Sequence, residues 1–299
     1  MNNKKILILG SKGMLGTDLQ RVFEGYDVTA WDKDSLDITD RVQVLKFIKK
    51  LNPYVVINAA AYTDVDKAES EVMKADDMNS IALLNLSEAC KQIDATLVHY
   101  STDYVFNGRK ITGYKENDLF SPINQYGRTK ANGEITIHHS GIGKYYIIRS
   151  SWLFGPSLDN YHKNFVNTIL RLALNRPKIK VVCDQFGSPT YTLDLAKRTK
   201  DILFGYLPFG TYHFTNKGTT TWYKFAKEIM KVVIKKHILR PGYPKIVPCL
   251  TKDYIFPEKT IAPRPRYSIL RDTKTFKAGL SSNVRSWKDA LDDYINNIK

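Results

Sequence analysis

The chain has 299 residues, of which 43% are hydrophobic and 12% aromatic, and its formal net charge is +15. This composition is typical of a globular protein with a large core and excludes a low-complexity or disordered chain. The first apolar run ends at Gly10, too early for a signal peptide, and no stretch approaches the roughly 20 apolar residues of a membrane span. The cysteines at positions 90, 183 and 249 are far apart and odd in number, which favours reduced thiols in a cytoplasmic protein.

The positive charge fits either a basic face for nucleic acid or a site for an anionic small molecule. The lysines are spread over the whole chain, and the densest run, 231–245, is interleaved with apolar residues as in an amphipathic helix. No recognised nucleic-acid motif accompanies the charge. The sequence therefore predicts a small anionic ligand and no nucleic-acid or membrane partner.

The chain opens with a short apolar run, 5–9, that is typical of a buried parallel strand. A glycine turn follows, and apolar residues then recur at helical spacing. Glycines at this place let the backbone approach a pyrophosphate at a helix N-terminus, although the spacing Gly-x-x-Gly-x-x-Gly differs from the standard dinucleotide fingerprint. The predicted cofactor contacts in this loop are Gly10, Lys12, Gly13, Met14, Leu15 and Gly16.

The next predicted strand, 26–31, ends at Asp32, near the place where an acidic residue would bind the adenosine ribose hydroxyls. Lys33 follows it, and Lys33 or Lys12 would suit a 2′-phosphate instead. The residues thus indicate a dinucleotide and leave NADH and NADPH both open. Asp37 and Ile38, predicted as further cofactor contacts, lead into a helix that runs to about residue 50, with Thr39 or Asp40 as its N-cap.

The third and fourth predicted strands are 54–58 and 95–100, with a helix at 70–93 between them. Ala59, Ala60 and Ala61 follow the third strand. Their small side chains suit close approach to a cofactor, and close packing of helix on strand explains them equally well. Hydroxyl residues follow the fourth strand, at the edge of the sheet where ligands bind in open α/β proteins.

Tyr126 and Lys130 are four positions apart at the start of the next predicted helix and therefore share one helix face. A phenol beside a cation can give or take a proton. The spacing alone occurs by chance on many helices, but here the helix starts beside Thr102 and the fourth strand. The three residues are therefore the predicted catalytic group, and Tyr126 and Lys130 are also predicted cofactor contacts.

The second half of the chain continues with predicted strands at 145–149 and 178–183 and predicted helices at 160–174 and 192–204. Beyond Pro208 the pattern loosens into 210–214, a helix at 221–236, a proline-rich stretch and a last helix at 286–298. The predicted fold class is α/β, a doubly wound parallel Rossmann sheet with a smaller C-terminal α+β substrate lobe. Residues 1–150 and 178–207 are assigned to the dinucleotide-binding domain, and 151–177 and 208–299 to the substrate lobe. The six histidines show no metal-ligand spacing, so no metal site is predicted.

The glycine turn, the hydroxyls after the fourth strand and the Tyr-x-x-x-Lys pair together resemble the extended short-chain dehydrogenase/reductase superfamily. Finer motifs, in order along nearly the whole chain, are similar to those of the dTDP-4-dehydrorhamnose reductase family. These motifs are Asn58–Thr63, Val65–Glu69, Ser101–Gly108, Ser121–Lys130, Arg149–Gly155, Asp184–Thr190, Trp222–Ala226 and Arg264–Leu270.

The resemblance implies reduction of the 4-keto group of dTDP-4-dehydro-L-rhamnose by NADPH or NADH, in a monomer or homodimer. Tyr126 would be the general acid that protonates the keto oxygen, and Lys130 would bind the nicotinamide ribose and lower the tyrosine pKa. Thr102 would hydrogen-bond the keto oxygen or its neighbour. Further implied substrate contacts are Asp103, Val105, Trp152 and Arg264, the last as a partner of the diphosphate.

The sequence departs from the family at two places. Some members dimerise through a metal held by glutamates, where this chain has Asp18 and no glutamate at 192–194. Arg271 stands where the family usually has aspartate.

Other functions remain open from the sequence. One is reduction of another nucleotide-linked 4-keto-6-deoxysugar. A second is dehydration or epimerisation, although the Thr-Asp-Glu of dehydratases is here Thr102-Asp103-Tyr104. A third is a non-catalytic regulatory subunit like that of methionine adenosyltransferase.

Overall fold

The computed structural model of the chain describes residues 4–156, 164–238, 243–254 and 262–297. Strands and helices alternate through the first two-thirds of these residues. The strands are β1 Ile6–Leu9, β2 Val28–Trp31, β3 Val55–Asn58, β4 Thr96–Thr102, β5 Tyr145–Ser150, β6 Leu153–Phe154, β7 Lys178–Val182, β8 Phe186–Gly187, β9 Thr190–Tyr191, β10 Gly210–His213, β11 Thr220–Thr221 and β12 Lys245–Cys249. The α-helices are α1 Met14–Val22, α2 Arg41–Leu51, α3 Val72–Asp76, α4 Ala82–Gln92, α5 Gln125–His139, α6 Phe165–Asn175, α7 Thr192–Phe204, α8 Trp222–Lys235, α9 Lys274–Lys277 and α10 Trp287–Asn297.

Six strands form a parallel central sheet in the order β10-β5-β4-β3-β1-β2. Alternate residues of the strands point to opposite faces, and each face is covered by helices. Leu7, Val56 and Leu97 pack with residues of α2, α4 and α5, whereas Ile8 and Ile57 pack with residues of α1 and α7. The predicted doubly wound α/β fold is confirmed.

The strand order places a crevice at the middle of the sheet. The chain runs from β1 outward to β2 and then returns to β3 on the other side of β1. The connections after β1 and β3 therefore diverge at the carboxyl ends of these strands. This is the switch point at which open α/β sheets bind ligands.

The sixth strand of the central sheet differs from the prediction. Residues 178–183 were expected to supply it, but β7 pairs with β12 in a separate two-stranded sheet, and β10 pairs with β5. The burial of β7 alternates, with Lys178 and Lys180 exposed and Ile179 and Val181 buried, and such a one-sided strand does not suit a sheet covered on both faces. The choice of the sixth strand is thereby corrected from 178–183 to 210–213, and the predicted domain division stays a prediction.

The helices match the predicted ones closely. Asp40 is the N-cap of α2, and its carboxylate accepts a hydrogen bond from the backbone N–H of Gln43. The predicted helix at 70–93 is present as α3, a π-helical turn at Asp77–Ile81 and α4. The first residues of the helix predicted at 160–174 lie outside the described residues, and α6 begins at Phe165.

A second core lies in the smaller lobe. It gathers buried side chains of α6, α8 and α10 around Phe154 and Tyr191, which stack with ring centroids 5.5 Å apart. Within the described part of the chain, no helix is long and apolar enough to cross a membrane.

Candidate active site

A cavity of about 580 Å³ opens at the carboxyl ends of the central strands, between the sheet and the smaller lobe. Most of the side chains predicted from sequence as site residues line it. These are Gly10, Lys12, Gly13, Met14, Leu15, Asp32, Lys33, Asp37, Ile38, Ala59, Ala60, Ala61, Thr102, Asp103, Tyr126, Lys130 and Trp152. The structure thus brings the glycine loop, the alanines and the Thr-Tyr-Lys group to one cavity.

Two glycines of the loop, Gly10 and Gly16, lie where a side chain would not fit. Gly10 has a φ of +73°, and a Cβ there would lie 2.6 Å from the backbone nitrogen of Ala60. A Cβ on Gly16 would lie 2.1 Å from the carbonyl oxygen of Gly10, so Gly16 does not line the cavity but lets α1 pack under the loop. Gly13 is the N-cap of α1 and makes no side-chain cap hydrogen bond, so the first N–H groups of the helix suit a phosphate.

Asp32 closes one end of the cavity. Its carboxylate accepts hydrogen bonds from the backbone N–H of Lys12, at 3.0 Å, and from that of Lys33, at 2.9 Å. The side chain of Lys12 turns outward to Asp34, with 2.8 Å between Nζ and Oδ2. Asp32 is therefore fixed across the loop, and two lysines flank it, which suits a nucleotide with or without a 2′-phosphate.

Thr102 and Tyr126 meet at the other end of the cavity. The hydroxyl of Thr102 donates to Oδ1 of Asp103 at 2.9 Å and accepts from the backbone N–H of Tyr104 at 3.2 Å. Tyr126 lies in the first turn of α5, whose N-cap Asn124 accepts from the backbone N–H of Gly127 at 2.7 Å. A Cβ on Gly127 would lie 2.2 Å from the carbonyl oxygen of Tyr104, so glycine lets α5 approach the turn after β4.

Burial raises the pKa of two side chains at this end of the cavity, Tyr126 and Asp103. Burial raises the pKa of Tyr126 to about 12, although the hydrogen bond between Tyr126 and Thr102 opposes the rise. Lys130 is not among the groups that lower this pKa, because its Nζ is directed to His99 and to the carbonyl oxygen of Tyr100. Burial also raises the pKa of Asp103 to about 7, while hydrogen bonds from Ser268 and Thr102 oppose the rise. Tyr126 is therefore protonated at neutral pH and can act as a proton donor.

Lys130 is buried at the floor of the cavity, with 2% of its surface exposed. Its Nζ donates to the carbonyl oxygen of Tyr100 at 2.7 Å and lies 3.0 Å from Nε2 of His99. Burial lowers the pKa of Lys130 to about 7, although the charge of Glu134 opposes this. The lysine therefore titrates in the neutral range.

Two tryptophans form the wall on the side of the smaller lobe. The rings of Trp152 and Trp222 stack with centroids 3.6 Å apart and an interplanar angle of 9°. Trp152 has a φ of +51°, an unfavourable backbone conformation for a residue with a side chain, and Gly187 leaves the space that its indole fills. The backbone and the partner ring together fix the orientation of Trp152.

Two residues predicted as substrate contacts lie elsewhere. Val105 does not line the cavity because its side chain is fully buried among Phe106, Tyr114 and other apolar groups. Arg264 forms a two-pronged ion pair with Asp66, with distances of 2.7 and 2.9 Å, and its side chain does not line the cavity either. The structure thus gives Arg264 a partner that the sequence did not indicate.

Several cavity residues were not singled out from the sequence. Trp222 was noted only as part of a motif, and Asn58 only as the end of β3. The sequence contained a signal for each of them, because Trp222 lies in a motif shared with the family and Asn58 ends a strand at the edge of the sheet where ligands bind. Other missed lining residues include Trp31, Leu36, Thr63, Val65, Met78, Tyr100, Tyr104, Ser150, Ser151 and Leu153.

The sheet with its switch-point cavity, the glycine loop and the Thr-Tyr-Lys group define an NAD(P)-dependent oxidoreductase of the extended short-chain dehydrogenase/reductase type. Comparison with known proteins makes this specific. The family described as RmlD substrate binding domain matches residues 4–299. The chain is 39% identical over 298 residues to dTDP-4-dehydrorhamnose reductase of Aggregatibacter actinomycetemcomitans, spanning 96% of this chain and 97% of the relative. It therefore belongs to the dTDP-4-dehydrorhamnose reductase family.

Two further similar proteins have names or bound molecules that indicate a cofactor and a sugar. The crystal structure of dTDP-4-dehydrorhamnose reductase from Bacillus anthracis, in complex with NADP, is 36% identical, with a TM-score of 0.89 over 99% of this chain and 100% of that chain. A dTDP-4-keto-6-deoxy-D-glucose reductase of Streptomyces niveus is 35% identical, over 95% of this chain and 94% of the relative. Relatives of similar identity thus have names that differ in the sugar.

Proposed function

We propose that this chain reduces the 4-keto group of dTDP-4-dehydro-L-rhamnose to give dTDP-L-rhamnose, with NADPH or NADH as the reductant. The observation that carries the proposal is the meeting of Thr102 and Tyr126 with the glycine loop in one cavity at the switch point of the sheet. The reduced nicotinamide supplies a hydride when it is bound. The residues of the chain must then orient the sugar, exclude water and deliver one proton.

The proton comes from Oη of Tyr126, which is held in its protonated form by burial. Negative charge develops on a carbonyl oxygen as its carbon is reduced, and hydroxyl donors at that oxygen stabilise it. Asp103 and the turn after β4 fix the position of the Thr102 oxygen, and its single hydroxyl proton must turn from Oδ1 of Asp103 to reach the keto oxygen. After the transfer, a charged Lys130 one helical turn away would stabilise the phenolate of Tyr126.

The cofactor end supports both dinucleotides. The N-cap position of Gly13 at the start of α1 suits a pyrophosphate, and Asp32 at the edge of the same cavity would bind the ribose hydroxyls. Lys12 and Lys33 add positive charge beside it, and the relative that was crystallised with NADP shares this fold. We favour NADPH on this charge, and we place the enzyme in the cytoplasm as a monomer or homodimer.

A coupled assay tests the function. The keto sugar is made by an upstream dehydratase and epimerase, and oxidation of NADPH or NADH is followed by absorbance. We expect oxidation only when dTDP-4-dehydro-L-rhamnose is present, and we expect the product to be dTDP-L-rhamnose by NMR. The proposal fails if correctly made substrate gives no oxidation with either cofactor.

A second candidate is the D-glucose-derived 4-keto sugar, because the relative from Streptomyces niveus carries that name. The same assay without the epimerase supplies this substrate. Faster turnover without the epimerase would favour the second candidate. The intact Thr102, Tyr126 and Lys130 around one cavity count against a purely regulatory subunit.

Truncation of Trp222 is expected to affect the sugar and not the cofactor. Trp222→Ala removes the stacked partner of Trp152, so the indole at the sugar end loses its fixed orientation. Aromatic pairs contribute about 0.5–1.5 kcal/mol beyond their buried area, so we expect KM for the nucleotide sugar to rise about threefold to tenfold. Steady-state kinetics and a fluorescence titration with NADPH measure the two effects.

Trp222→Phe is the matched control, since it keeps a ring against Trp152 and should have a smaller effect on KM. An equal loss of affinity for NADPH and for the sugar would contradict a role confined to the sugar end.

A further inference from the structure

Below the cavity floor, a chain of hydrogen bonds connects β3, β4 and α5. Asn58 and His99 are register partners on the adjacent strands β3 and β4, and Nδ2 of Asn58 lies 3.3 Å from Nδ1 of His99. Nε2 of His99 lies 3.0 Å from Nζ of Lys130. Asn58, His99 and Lys130 are 1–2% exposed, so these contacts are shielded from water. The catalytic mechanism above uses neither Asn58 nor His99.

The orientation of the Asn58 amide determines which group donates in each of these hydrogen bonds. Oδ1 of Asn58 accepts from the backbone N–H of Ala60 at 3.1 Å, so the group that faces His99 is the amide NH₂, which can only donate. Nδ1 of His99 must then be the acceptor. Burial alone holds the pKa of His99 well below its ordinary value, and a charged Lys130 would only lower it further, so the ring is neutral and has one proton, at Nε2.

The proton at Nε2 points at Nζ of Lys130. An ammonium group has three donors and no lone pair, so it cannot accept a hydrogen bond. A neutral amine can accept from His99 and still donate to the carbonyl oxygen of Tyr100. Every donor among Asn58, His99 and Lys130 therefore faces an acceptor if Lys130 is uncharged, and this is not so if Lys130 is an ammonium group.

The other charged groups around Lys130 do not reverse this direction. Glu134 lies one turn further along α5, but Arg149 on β5 pairs with its carboxylate at 2.8 Å, and Ser101 on β4 donates to it at 2.5 Å. Glu134 is thus already compensated, and its pull on Lys130 is weaker than the effect of burial. Tyr126, on the same helix, is neutral near pH 7 because burial raises its pKa to about 12.

We propose that Asn58 and His99 are positioning residues that hold Lys130 as an uncharged amine in the cofactor-free enzyme, so that binding of the dinucleotide is coupled to uptake of a proton by Lys130. The coupling rests on the proposed function, because the dinucleotide brings the negative charge that favours an ammonium in this cavity. One proton enters from solvent and binds to Nζ. The ring proton of His99 shifts from Nε2 to Nδ1, and the amide of Asn58 turns its oxygen toward the ring and releases the N–H of Ala60.

The predicted cofactor site lies close to the hydrogen-bonded residues Asn58, His99 and Lys130, which we call the relay. Ala60, whose N–H fixes the amide of Asn58, lines the cavity, and its backbone nitrogen would be 2.6 Å from a Cβ on Gly10. A ligand bound at the glycine loop would therefore lie close to the backbone N–H of Ala60, which fixes the orientation of the Asn58 amide.

Calorimetry measures the proton uptake. Binding of NADPH is titrated in buffers of different ionisation enthalpy at about pH 8, above the Lys130 pKa of about 7, and again at about pH 6. Because Lys130 is already charged below its pKa in the free enzyme, uptake should approach one proton at the higher pH and fall at the lower one. NADH, which has no 2′-phosphate to titrate, should give the same difference between the two values of pH.

Two variants break the relay. Asn58→Asp presents a carboxylate to Nδ1 of His99, which then carries its proton there and accepts from Lys130. His99→Gln adds no charge, and its amide is free to present an oxygen to Lys130. In both variants Lys130 should be charged before the cofactor binds, so uptake at about pH 8 should fall by at least half. His138→Gln, on the same helix but outside the cavity, is the control and should behave as the wild type.

A measurement without cofactor separates this proposal from the proposed function. With 13C-labelled lysine, the NMR signal that disappears in Lys130→Met should titrate near pH 7 in the wild type and at least about one unit higher in Asn58→Asp and His99→Gln. Titration of the wild-type signal near the ordinary lysine value would overturn the relay, as would equal proton uptake in all variants. If neither dinucleotide binds, the coupling and the proposed function both fail, and the NMR titration still decides the state of Lys130.

Discussion

Replacement of Tyr126 by phenylalanine is expected to lower turnover by about 10²- to 10⁴-fold, the usual contribution of a positioned general acid. The variant keeps the ring and its edge contact with Tyr104, whose centroid is 5.7 Å away, so the cavity should keep its shape. Only the hydroxyl that we propose as the proton donor to the substrate is lost. We therefore expect kcat and kcat/KM to fall together, with the dissociation constant of NADPH nearly unchanged.

Single-turnover kinetics with dTDP-4-dehydro-L-rhamnose measure the chemical step in Tyr126→Phe. Tyr145→Phe is the matched control because its hydroxyl contacts His138 outside the cavity, and it should leave the rate unaltered. A Tyr126→Phe rate within a few-fold of the wild type would remove this phenol as the acid.

Replacement of Arg149 by methionine is expected to lower the free energy of unfolding by about 3–5 kcal/mol, the usual cost of leaving a buried charge without its partner. Arg149 is 2% exposed and Glu134 is fully buried. The guanidinium donates to both carboxylate oxygens, with distances of 2.8 to 3.1 Å, and also to the carbonyl oxygen of Glu116. Methionine fills much of the same space, but it cannot satisfy the carboxylate.

Urea denaturation measures the cost of Arg149→Met. The double variant Arg149→Met with Glu134→Gln removes the unpaired charge and should recover part of the loss. Arg41→Met breaks the exposed pair with Glu88 and should barely shift the midpoint. Equal destabilisation by the single and the double variant would show that the ion pair is not the cause.

Short-range patterns in the sequence predicted most of the fold. The apolar run before Gly10 and the N-cap Asp40 depend on neighbouring residues, and such signals are visible in one sequence. The meeting of Thr102, Tyr126 and Lys130 followed from the rule that parallel strands end at one edge of the sheet. This is why the sequence predicts that these three residues lie together without knowledge of any long-range contact.

Contacts between distant segments were not predictable in the same way. The pairing of Arg264 with Asp66 and the stack of Trp152 on Trp222 depend on how the smaller lobe packs against the sheet. The relay from Asn58 depends on the register of β3 and β4, which no local pattern shows.

The wrong choice of sixth strand has a related cause. The segment 178–182 is richer in apolar residues than 210–213, but His213 is buried in the central sheet because Arg149 and the carbonyl oxygen of Arg271 are its partners. Hydrophobicity alone therefore favoured the wrong segment.

The position of β10 has a consequence for how the chain unfolds. After β5 the chain leaves the central sheet, builds part of the smaller lobe, and then returns to place β10 along the edge of β5. A fragment that ends at residue 207 would lack this edge strand and expose the hydrogen-bonding groups of β5 to other chains. The two lobes are therefore interdependent in folding, and the protein should melt in one cooperative transition that no single cut in the chain can divide.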